Sequence, residues 1–542
     1  MKKKIYIAII SIFTLVLIIF LLFNPFRAAP SSEPTYIFLI TLDTTRADHV
    51  DYSLSKNTLT PNLAKLAGEG IIFSNAYSLI PITLPSHASI FYSLPPHILR
   101  VYNNKQINKT THPSIAQLFK ESGYQTGAVI SLGVLNTHFG LSNGFDKYIE
   151  NFRPDVWYKT AEEVNRDAFK MIKEMSDKKA FFWIHYSDPH APYFPPYYKG
   201  NFSIYFNNHN IYSVNSIDQA LIKLELDIKP GKNVLSMRTT YPQSLIDKRG
   251  VRIKGISFMN YSLSTEASKD NIEIYLPRNW REIRPRNKRH YLSRRKRSEM
   301  VFINKTEQNI KITIQFNYKL SLHFRASREL YQQEIQYMDK HFGQLMKFLK
   351  KNHMFQESVF IVMGDHGEGL GEHRRCVGHI HYLNKLYLQV PLFMAGKGIK
   401  EKGVIKKNLV SNLNIAPTLL DIIDKEKPDF MQGTSLFETH QSNHLLLETY
   451  SPEAYSDGFS IIKYPYQFIY YPQTEEQKFE FIDLEKDQLG INNLYHQKIN
   501  QKIKAELLNS VIKVSKAITK IKGKPDEISP EQLEILKSLG YL

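Results

Sequence analysis

The chain has 542 residues, and 42% of them are hydrophobic. A chain of that length can bury a large core and form more than one domain. Its single cysteine, Cys376, excludes an intrachain disulfide framework, which fits both a reducing compartment and a periplasm without disulfides. The formal charge of +18 indicates an anionic partner or surface, although net charge carries no information about the fold.

The N-terminus has the pattern of a membrane anchor. Residues 1–4 form a basic tip, and residues 5–23 form an uncharged apolar run of about the length that spans the hydrocarbon of a bilayer. The residues after this run offer only a poor cleavage site, which favours an uncleaved signal anchor over a signal peptide. Because lysines stay on the cytoplasmic side, we expect a single-pass protein of the inner membrane. Residues 24–35 would be a linker, and the rest of the chain would lie in the periplasm.

Strand-type and helix-type segments alternate over 36–199, which predicts a mostly parallel sheet with helices on both faces. The first strand is followed directly by Asp43. A second apolar strand, at 359–363, is followed closely by Asp365 and His366. In open α/β sheets, ligands bind beyond the carboxyl ends of the strands. These acidic groups are therefore expected to converge on one point.

Residues 81–89 place three hydroxyls, two prolines and an imidazole close together. Thr83 stands in a proline-bounded turn ahead of a helix that starts near Pro85, so its Oγ is expected near free backbone N–H groups. Such a helix N-terminus attracts phosphate-like or sulfate-like anions. The alternative interpretation is a surface turn that only caps the helix.

Asp43, Asp365 and His366 together offer two carboxylates and an imidazole. This ligand set favours one divalent metal ion, Mn²⁺ or Zn²⁺, with Ca²⁺ and Mg²⁺ as further options. The Oγ of Thr83 is a candidate fourth ligand. A bound cation would lower the pKa of that hydroxyl and produce a nucleophile. Cys376 is left out of the ligand set, because a single thiol in a loop is usually inert.

At these residues the chain resembles the sulfatase family of the alkaline phosphatase superfamily, and the likeness runs through most of its length. The family implies an α/β fold, a sulfatase-like sandwich with a central, mostly parallel sheet and a small C-terminal antiparallel subdomain. It also implies an ester hydrolase that acts on sulfuric or phosphoric esters. The blocks that carry the likeness are LITLDTTRADHV, TPNLAKLAGEGIIFSNAYS, TLPSHASIFYSLPPH, WIHYSDPHAPY, VMGDHGEGLGEH, GHIHYLNKLYLQVPLFMAGKG and FEFIDLEKDQLGINNL.

Two departures from the family pattern bear on the chemistry. Family sulfatases carry Cys-x-Pro-x-Arg or Ser-x-Pro-x-Arg and convert the first residue to formylglycine. This chain has Thr83 and His87 at the two ends of that frame, so no formylglycine is expected. Thr44 follows Asp43 where many sulfatases have a second aspartate. The pattern resembles the one-metal phosphotransferases of the superfamily more closely, and its nucleotide pyrophosphatases also use a threonine.

The departures shift the expected substrate from sulfate towards phosphate or phosphonate esters. A sulfated formylglycine enzyme is released by breaking a carbon–oxygen bond, an exit that a threonine lacks. An enzyme modified at Thr83 must instead break its new bond to sulfur or phosphorus, which phosphoryl chemistry tolerates.

Four further side chains are candidates for the site. The resemblance assigns contact with the transferable group to His190, and binding of substrate or protonation of the leaving group to His379. With the threonine, these two histidines are the expected catalytic residues. His87 and Arg46 lie close enough in sequence to assist in substrate binding. The alternative for His190 is a loop histidine bonded to a nearby carbonyl.

Residues 200–327 interrupt the pattern with alternating polar and apolar runs of strand period. They predict an inserted antiparallel β-rich module, sandwich-like, within a catalytic domain at 36–199 and 328–440. The module carries 23 lysines and arginines against 10 acidic residues, so most of the excess positive charge lies there. Two interpretations of this charge remain: a solvated loop, or an arm that binds anionic glycan or lipid headgroups. No sequence motif supports binding of nucleic acid. Residues 441–542 predict a small antiparallel subdomain and a helical tail.

Three functions follow from these observations. The favoured one is a metal-dependent hydrolase of phosphate, phosphonate or sulfate esters with a threonine nucleophile. The second is a phosphoethanolamine- or glycerol-phosphate-type transferase that acts on an envelope lipid or glycan. The third is a non-catalytic protein that binds anionic glycan and holds no metal.

Overall fold

The computed structural model describes residues 33–52, 58–152, 157–191, 193, 201–214, 220–240, 255–265, 269–275, 280–283, 290–293, 297–321, 324–439, 442–475 and 478–521. The predicted signal anchor at 5–23 and the basic tip before it lie outside these ranges. Within them, no helix combines the length and the apolar character that a membrane crossing requires.

The N-terminal part of the catalytic region alternates strands with helices, as the sequence predicts. Two of its helices begin with a capping box, in which Ser114 pairs with Gln117 and Thr160 with Glu163. The strands are β1 (Tyr36–Leu42), β2 (Gly70–Tyr77), β3 (Gln125–Val129), β4 (Lys147–Ile149) and β5 (Ala180–Tyr186), and the helices are α1 (Pro61–Ala67), α2 (Thr83–Tyr92), α3 (Pro96–Leu99), α4 (Ile115–Glu121) and α5 (Ala161–Glu174).

A β-rich module follows. Its strands are β6 (Asn201–Phe206), β7 (His209–Val214), β8 (Ala220–Ile228), β9 (Gly231–Thr240), β10 (Gly255–Thr265), β11 (Ile272–Tyr275), β12 (Trp280–Ile283), β13 (His290–Ser293), β14 (Arg297–Asn304) and β15 (Ile310–Ser321). They form two five-stranded antiparallel sheets, in the orders β12-β13-β10-β15-β8 and β11-β14-β9-β6-β7. Apolar side chains of both sheets, among them Ile204, Leu235, Phe302 and Ile312, pack together. The module is therefore a sandwich with its own core.

The chain then returns to the catalytic region through a long helix, which begins at Phe324 rather than at the predicted boundary of 328. Its apolar residues, such as Met338 and Phe342, pack against the sheet, as the helical spacing predicts. The elements of this part are α6 (Phe324–Lys351), β16 (Ser358–Gly364), β17 (Gly369–Leu370), β18 (Val377–Gly378), α7 (Lys385–Leu388), β19 (Leu392–Gly396), β20 (Val404–Ser411) and α8 (Ile415–Ile422).

An eight-stranded sheet with the order β20-β2-β19-β16-β1-β5-β3-β4 forms the centre of the catalytic region. Its neighbouring strands run parallel, except that β19 is antiparallel to β16 and β2. Leu42, the last residue of β1, pairs with Gly364 on one side and Tyr186 on the other. The carboxyl ends of three neighbouring strands therefore lie side by side. The predicted α/β fold with a mostly parallel central sheet is confirmed.

Large aromatic side chains fill both faces of this sheet. On one face, the ring of Phe38 stacks on Phe182 at 5.0 Å and on Phe360 at 5.3 Å. On the other face, Trp183 of β5 meets Phe91 of α2 at 4.7 Å. Burial of one such side chain contributes about 1.5–3 kcal/mol. The helix that begins with the candidate nucleophile is thus anchored on the sheet.

The C-terminal region is a four-stranded antiparallel sheet with sequential strand order. Phe459, Phe468 and Phe481 of this sheet form one cluster with Val511 of the last helix, so the helix covers the sheet. The elements are β21 (Leu445–Thr449), β22 (Gly458–Lys463), β23 (Tyr466–Tyr470), β24 (Phe479–Asp483) and α9 (Gln501–Ile521).

Candidate active site

Thr83 is the first residue of α2, and its side chain is fully buried. Its Oγ1 lies 3.3 Å from Nε2 of His366. The next peptide is held by Asn104, whose Oδ1 accepts a hydrogen bond from the N–H of Leu84 at 2.9 Å. The helix therefore begins at Thr83, two residues before the predicted start near Pro85, so Thr83 lies in the first helical turn and not in a turn ahead of it. Its hydroxyl faces His366, just after the end of β16.

Asp43 follows β1, and Asp365 and His366 follow β16, where the register of the sheet brings the two strand ends together. One potential ligand atom from each residue lies within 4.8 Å of the others, and all three side chains are buried. Distances of this size allow a single cation to bind all three atoms after small adjustments. The predicted ligand group is thus assembled from two distant segments.

The buried oxygens of this group fit a divalent cation. Within the described part of the chain, Oδ1 of Asp43 and Oδ2 of Asp365 have no hydrogen-bond partner. The other oxygen of Asp365 accepts hydrogen bonds from the N–H groups of Thr44 at 3.0 Å and His366 at 2.7 Å. Two buried, unpartnered carboxylate oxygens carry a large desolvation penalty, which a bound cation would offset. Oxygen and imidazole ligands also suit the metals that the sequence favours.

The two carboxyl groups are electrostatically unequal. Burial disfavours the charge of Asp43, but the hydrogen bond from His185 and the nearby imidazoles outweigh it and hold the pKa of Asp43 below its ordinary value. Burial and the charge of Asp43 raise the pKa of Asp365 well above its ordinary value. Like charges this close repel, and a divalent cation between them would allow both groups to ionise.

The orientation of His366 is set by its backbone partner. Its Nδ1 lies 2.9 Å from the carbonyl oxygen of Gly367, to which it donates. The lone pair is therefore on Nε2, the atom that faces Thr83 Oγ1 and the carboxylates. An imidazole fixed in this way is typical of metal-ligating histidines.

Thr44 has an unusual backbone conformation next to this group. Its φ of 51° lies in the left-handed region, which is rare for a β-branched residue. This conformation aims the N–H of Thr44 at Oδ1 of Asp365. Local strain is therefore found where the chain passes from β1 into the ligand group, as is common at functional sites.

His185 is a part of the site that sequence reasoning missed. The backbone N–H of Ser131 donates to Nδ1 of His185, so Nε2 carries the proton and donates to Oδ2 of Asp43 at 3.3 Å. This contact orients the carboxylate from behind. The only signal in the sequence is a histidine inside the otherwise apolar run of β5.

His87 lies beneath Thr83, where it links the helix to the sheet. The indole N–H of Trp183 donates to Oγ1 of Thr41 at 2.9 Å, and Oγ1 of Thr41 is 3.1 Å from Nε2 of His87. Nδ1 of His87 donates to the carbonyl oxygen of Thr83 at 2.8 Å. Burial lowers its pKa to about 3, so the ring is neutral. With both ring nitrogens engaged, this geometry favours positioning of Thr83 over the predicted contact with substrate.

Arg46 also differs from the expectation of substrate binding. Its guanidinium is 1% exposed and forms ion pairs with Asp48 and Glu372, both at 2.7 Å. A third contact runs from Nη1 to the carbonyl oxygen of Glu368 at 3.2 Å. The side chain thus ties the segment after β1 to the loop after β16. Because protein oxygens already surround it, the geometry favours a structural role.

His190 and His379 complete the buried cluster. The ring centres of His379 and His366 lie 4.5 Å apart, and those of His379 and His190 lie 5.4 Å apart. Burial and the neighbouring His190 lower the pKa of His379 to about 3. Nδ1 of His379 is 3.5 Å from Oε2 of Glu368. Burial raises the pKa of Glu368 to about 7. The structure therefore brings both predicted catalytic histidines next to the ligand group.

Asn104 is a second residue that the sequence did not reveal. Its side chain is buried, and its Nδ2 has no hydrogen-bond partner among the described residues. Since its Oδ1 is fixed by the peptide that follows Thr83, the amide N–H₂ is held beside the nucleophile position. Such a donor suits a nonbridging oxygen of a substrate.

Buried acids and histidines beside a hydroxyl, at the carboxyl edge of a parallel sheet, define an ester-cleaving α/β enzyme. A family model described as sulfatase matches residues 35–425, and a second, described as N-sulphoglucosamine sulphohydrolase, C-terminal, matches residues 371–517. The chain belongs to the sulfatase family, within the alkaline phosphatase superfamily of ester hydrolases. The family and the enzyme class predicted from the sequence motifs are confirmed.

Individual relatives are distant but cover most of the chain. A choline-sulfatase of Rhizobium meliloti is 23% identical over 80% of this chain and 77% of its own length. A delta 4,5-hexuronate-2-O-sulfatase of Bacteroides thetaiotaomicron is 24% identical over 83% of both chains.

Solved structures support the same fold. A putative sulfatase from Bacteroides thetaiotaomicron has a TM-score of 0.59 at 19% identity and covers 92% of this chain and 96% of its own. A phosphonate monoester hydrolase of Agrobacterium radiobacter has a TM-score of 0.56 at 14% identity and covers 90% of this chain and 96% of its own.

Proposed function

We propose that the protein is a metal-dependent hydrolase that uses Thr83 as its nucleophile and prefers phosphate or phosphonate esters to sulfate esters. The observation that carries the proposal is the 3.3 Å contact between Oγ1 of Thr83 and Nε2 of His366, beside two buried carboxylates. A hydroxyl placed against an acid–imidazole ligand group is the arrangement that activates a weak oxygen nucleophile.

Asp43, Asp365, His366 and Thr83 would hold the cation. When bound, it would act as a Lewis acid that lowers the pKa of the hydroxyl and neutralises charge on the transferred group. The residues behind them keep the ligands in place: His185 orients Asp43, and the Gly367 carbonyl fixes the ring of His366.

The chain's own residues have the following roles in a two-step displacement. The hydroxyl of Thr83 gives its proton to solvent, and its Oγ attacks phosphorus in line, so that an Oγ–P bond forms while the bond to the leaving oxygen breaks. His379, which burial keeps neutral, binds a nonbridging oxygen through a ring N–H, and His190 gives a proton to the leaving oxygen. In the second step, His190 takes a proton from water as the water oxygen attacks phosphorus. The Oγ–P bond breaks, Oγ takes up a proton from solvent, and phosphate and free Thr83 are released.

The identity of the nucleophile supports the preference for phosphorus. A threonine ester of sulfuric acid would have to be released by a second attack at sulfur, because Thr83 lacks the second oxygen with which formylglycine expels sulfate. Phosphorus readily undergoes two successive in-line displacements. The buried amide of Asn104 adds a hydrogen-bond donor beside the reacting group.

A panel of phosphomonoester, phosphodiester, phosphonate and sulfate esters tests the proposal, with Mn²⁺, Zn²⁺, Mg²⁺ or Ca²⁺ supplied in turn. Thr83→Ala should lower kcat by roughly 10³-fold or more, whereas Thr83→Ser should retain a measurable rate. Acid-quenched wild-type protein should carry one phosphoryl group on the peptide that contains Thr83. Turnover by Thr83→Ala at the wild-type rate would overturn the proposal, and transfer to an added alcohol without release to water would identify a transferase.

A further inference from the structure

A tyrosine from a distant helix closes the turn that follows β1. Tyr331 of α6 is fully buried, and its hydroxyl donates to the carbonyl oxygen of Thr44 at 2.7 Å. The same hydroxyl accepts a hydrogen bond from the N–H of Arg46 at 2.9 Å. One side chain therefore bonds both of the peptides that follow Thr44, although it lies 287 positions further along the chain.

Aromatic and aliphatic neighbours hold the ring of Tyr331 in place. It meets the imidazole of His49 edge-on at 5.1 Å and the ring of Tyr193 edge-on at 5.8 Å. Ile335 of the same helix and Leu370 of β17 belong to the same buried cluster. Because close-packed neighbours surround the ring, its hydroxyl has a defined position against the turn.

Thr44 needs such support for its backbone conformation. Its φ of 51° is unfavourable for a β-branched residue and persists only where the surrounding structure enforces it. The buried Oγ1 of Thr44 has no hydrogen-bond partner in the described part of the chain, so its own side chain does not enforce it. The local hydrogen bonds of Thr45, to the carbonyl oxygens of Leu42 and Asp43, are longer, at 3.4 and 3.2 Å. The two shorter bonds of Tyr331 are therefore the main support of the turn.

The conformation of Thr44 decides which oxygen of Asp365 is left for a cation. Oδ1 of Asp365 accepts from the N–H of Thr44 at 3.0 Å and from the N–H of His366 at 2.7 Å. Oδ2 has no hydrogen-bond partner among the described residues and lies 3.5 Å from Nε2 of His366. With Oδ1 engaged by two N–H groups, Oδ2 is the oxygen that is available as a ligand. A turn that relaxed at Thr44 would release one of these bonds and allow the carboxylate to rotate.

We propose that Tyr331 is a positioning residue of the candidate metal centre: its hydroxyl keeps Thr44 left-handed, and Thr44 thereby turns Oδ2 of Asp365 towards the cation. The inference rests on the proposed function, because it concerns the metal ligands of that site. A buried tyrosine hydroxyl usually finds a partner, which alone would make Tyr331 a core residue. Here the partner is itself one hydrogen bond away from a candidate ligand. Groups that orient the ligands from behind control metal affinity as well as activity.

Calorimetric titration of Tyr331→Phe with Mn²⁺ and with Zn²⁺ tests the inference. This variant keeps the ring and removes only the hydroxyl, so the Kd for the metal should rise by roughly 10- to 100-fold. Tyr186→Phe is the matched control, because Tyr186 is equally buried and its hydroxyl donates to Oδ1 of Asn165, which is not a candidate ligand. Both variants lose a buried hydroxyl, but Tyr186→Phe should bind metal as the wild type does. Equal metal affinity in the two variants would overturn the inference.

Two further measurements show whether the hydroxyl acts through Thr44. Glycine adopts the left-handed conformation without support, so adding Thr44→Gly to Tyr331→Phe should recover most of the lost metal affinity. In the metal-free protein, the N–H of Thr44 should exchange with deuterium faster in Tyr331→Phe than in Tyr186→Phe, as resolved by mass spectrometry with fragmentation. Failure of either expectation would show that the hydroxyl does not act through Thr44 and would overturn the inference.

The inference and the proposed function fail separately. An active wild type, with normal metal affinity in Tyr331→Phe, would reject the positioning role and leave the hydrolase standing. A wild type that binds metal but cleaves no ester would reject the hydrolase, and a loss of metal affinity in Tyr331→Phe would still support the role of Tyr331. A wild type that binds neither metal would overturn both. If the hydrolase is active, saturating metal should restore most of kcat in Tyr331→Phe, with KM for the ester unchanged.

Discussion

Thr83 and His366 are 283 positions apart in the chain, yet the hydroxyl oxygen of one lies 3.3 Å from Nε2 of the other. A second contact holds them together. Oγ of Ser86, in the first turn of α2, donates to the carbonyl oxygen of Asp365 at 2.8 Å. Nδ2 of Asn412 also donates to Oγ of Ser86 at 3.3 Å. The helix that carries the candidate nucleophile is thus bonded directly to the peptide that joins two candidate metal ligands, Asp365 and His366.

Removal of the hydrogen bond from Ser86 to the Asp365 carbonyl should lower both stability and activity. Ser86→Ala leaves a buried carbonyl without its partner, so we expect a loss of about 1–2 kcal/mol in unfolding free energy and a fall in kcat. Ser89→Ala is the matched control, since Ser89 is equally buried in the same helix but its Oγ has no partner in the described part of the chain. That variant should be neutral or slightly stabilising. Thermal unfolding and steady-state kinetics check both, and equal effects of the two variants would contradict the assigned role.

The candidate metal-ligand group predicts that Asp365→Asn is at least as stable as the wild type without metal and less stable than the wild type with metal. Without metal, Asp365→Asn removes the repulsion between two buried acids, so its Tm should match or exceed that of the wild type. With saturating Mn²⁺ or Zn²⁺, the wild type should gain stability by ligand binding and the variant should not. Bound metal, measured by atomic emission, should be about one ion per chain in the wild type and near zero in Asp365→Asn. Asp188→Asn is the control and should bind as much metal as the wild type. Oδ1 of Asp188 accepts a hydrogen bond from the N–H of Ala161 and is not part of the ligand group.

Asn104 should act on the transition state as well as on folding. Asn104→Asp keeps the oxygen that accepts from Leu84 but replaces the amide donor with a negative charge, so kcat/KM should fall by roughly 10²-fold. Because this change also buries a charged oxygen without a partner, Tm should fall as well. Asn104→Ala should lower both stability and activity. A wild-type kcat/KM for Asn104→Asp would show that the amide does not contact substrate.

The sequence predicted those parts of the site that depend on local pattern and on sheet topology. Asp43 and Asp365 each follow an apolar strand, and strands of a parallel sheet end at one edge, so their convergence could be inferred without coordinates. The prolines around Thr83 also indicated the start of a helix there, although the helix begins at Thr83 itself and not near Pro85. These signals lie within a few residues of the groups that they place.

The remaining parts depend on side-chain contacts between distant segments, which no local pattern encodes. Arg46 was expected to bind substrate, but its partner Glu372 is 326 positions away and could not be foreseen. His87 stands where the family motif has an arginine, but it is a neutral ring that hydrogen-bonds to Thr41. Thr41 in turn accepts a hydrogen bond from Trp183. His185 and Asn104 lie outside the motifs, and only the folded chain shows their roles.

The ion pair of Arg46 gives the last prediction, a dependence of stability on pH. Burial opposes the charge of Glu372, but Arg46 and Arg328 outweigh it and lower its pKa to about 2. The ordinary value of a glutamate is near 4.5. A lowered pKa means that the folded protein binds the proton less readily than the unfolded chain. The stabilising contribution is therefore complete above about pH 4.5 and is lost as the pH falls towards 2. Its size is on the order of 2–3 kcal/mol. Tm profiles of the wild type and Glu372→Gln should differ most near pH 6, differ by about half as much at pH 3 and converge near pH 2, whereas Glu357→Gln, at an exposed ion pair, should run parallel to the wild type. A gap between wild type and Glu372→Gln that stays constant from pH 6 to pH 3 would contradict the assignment.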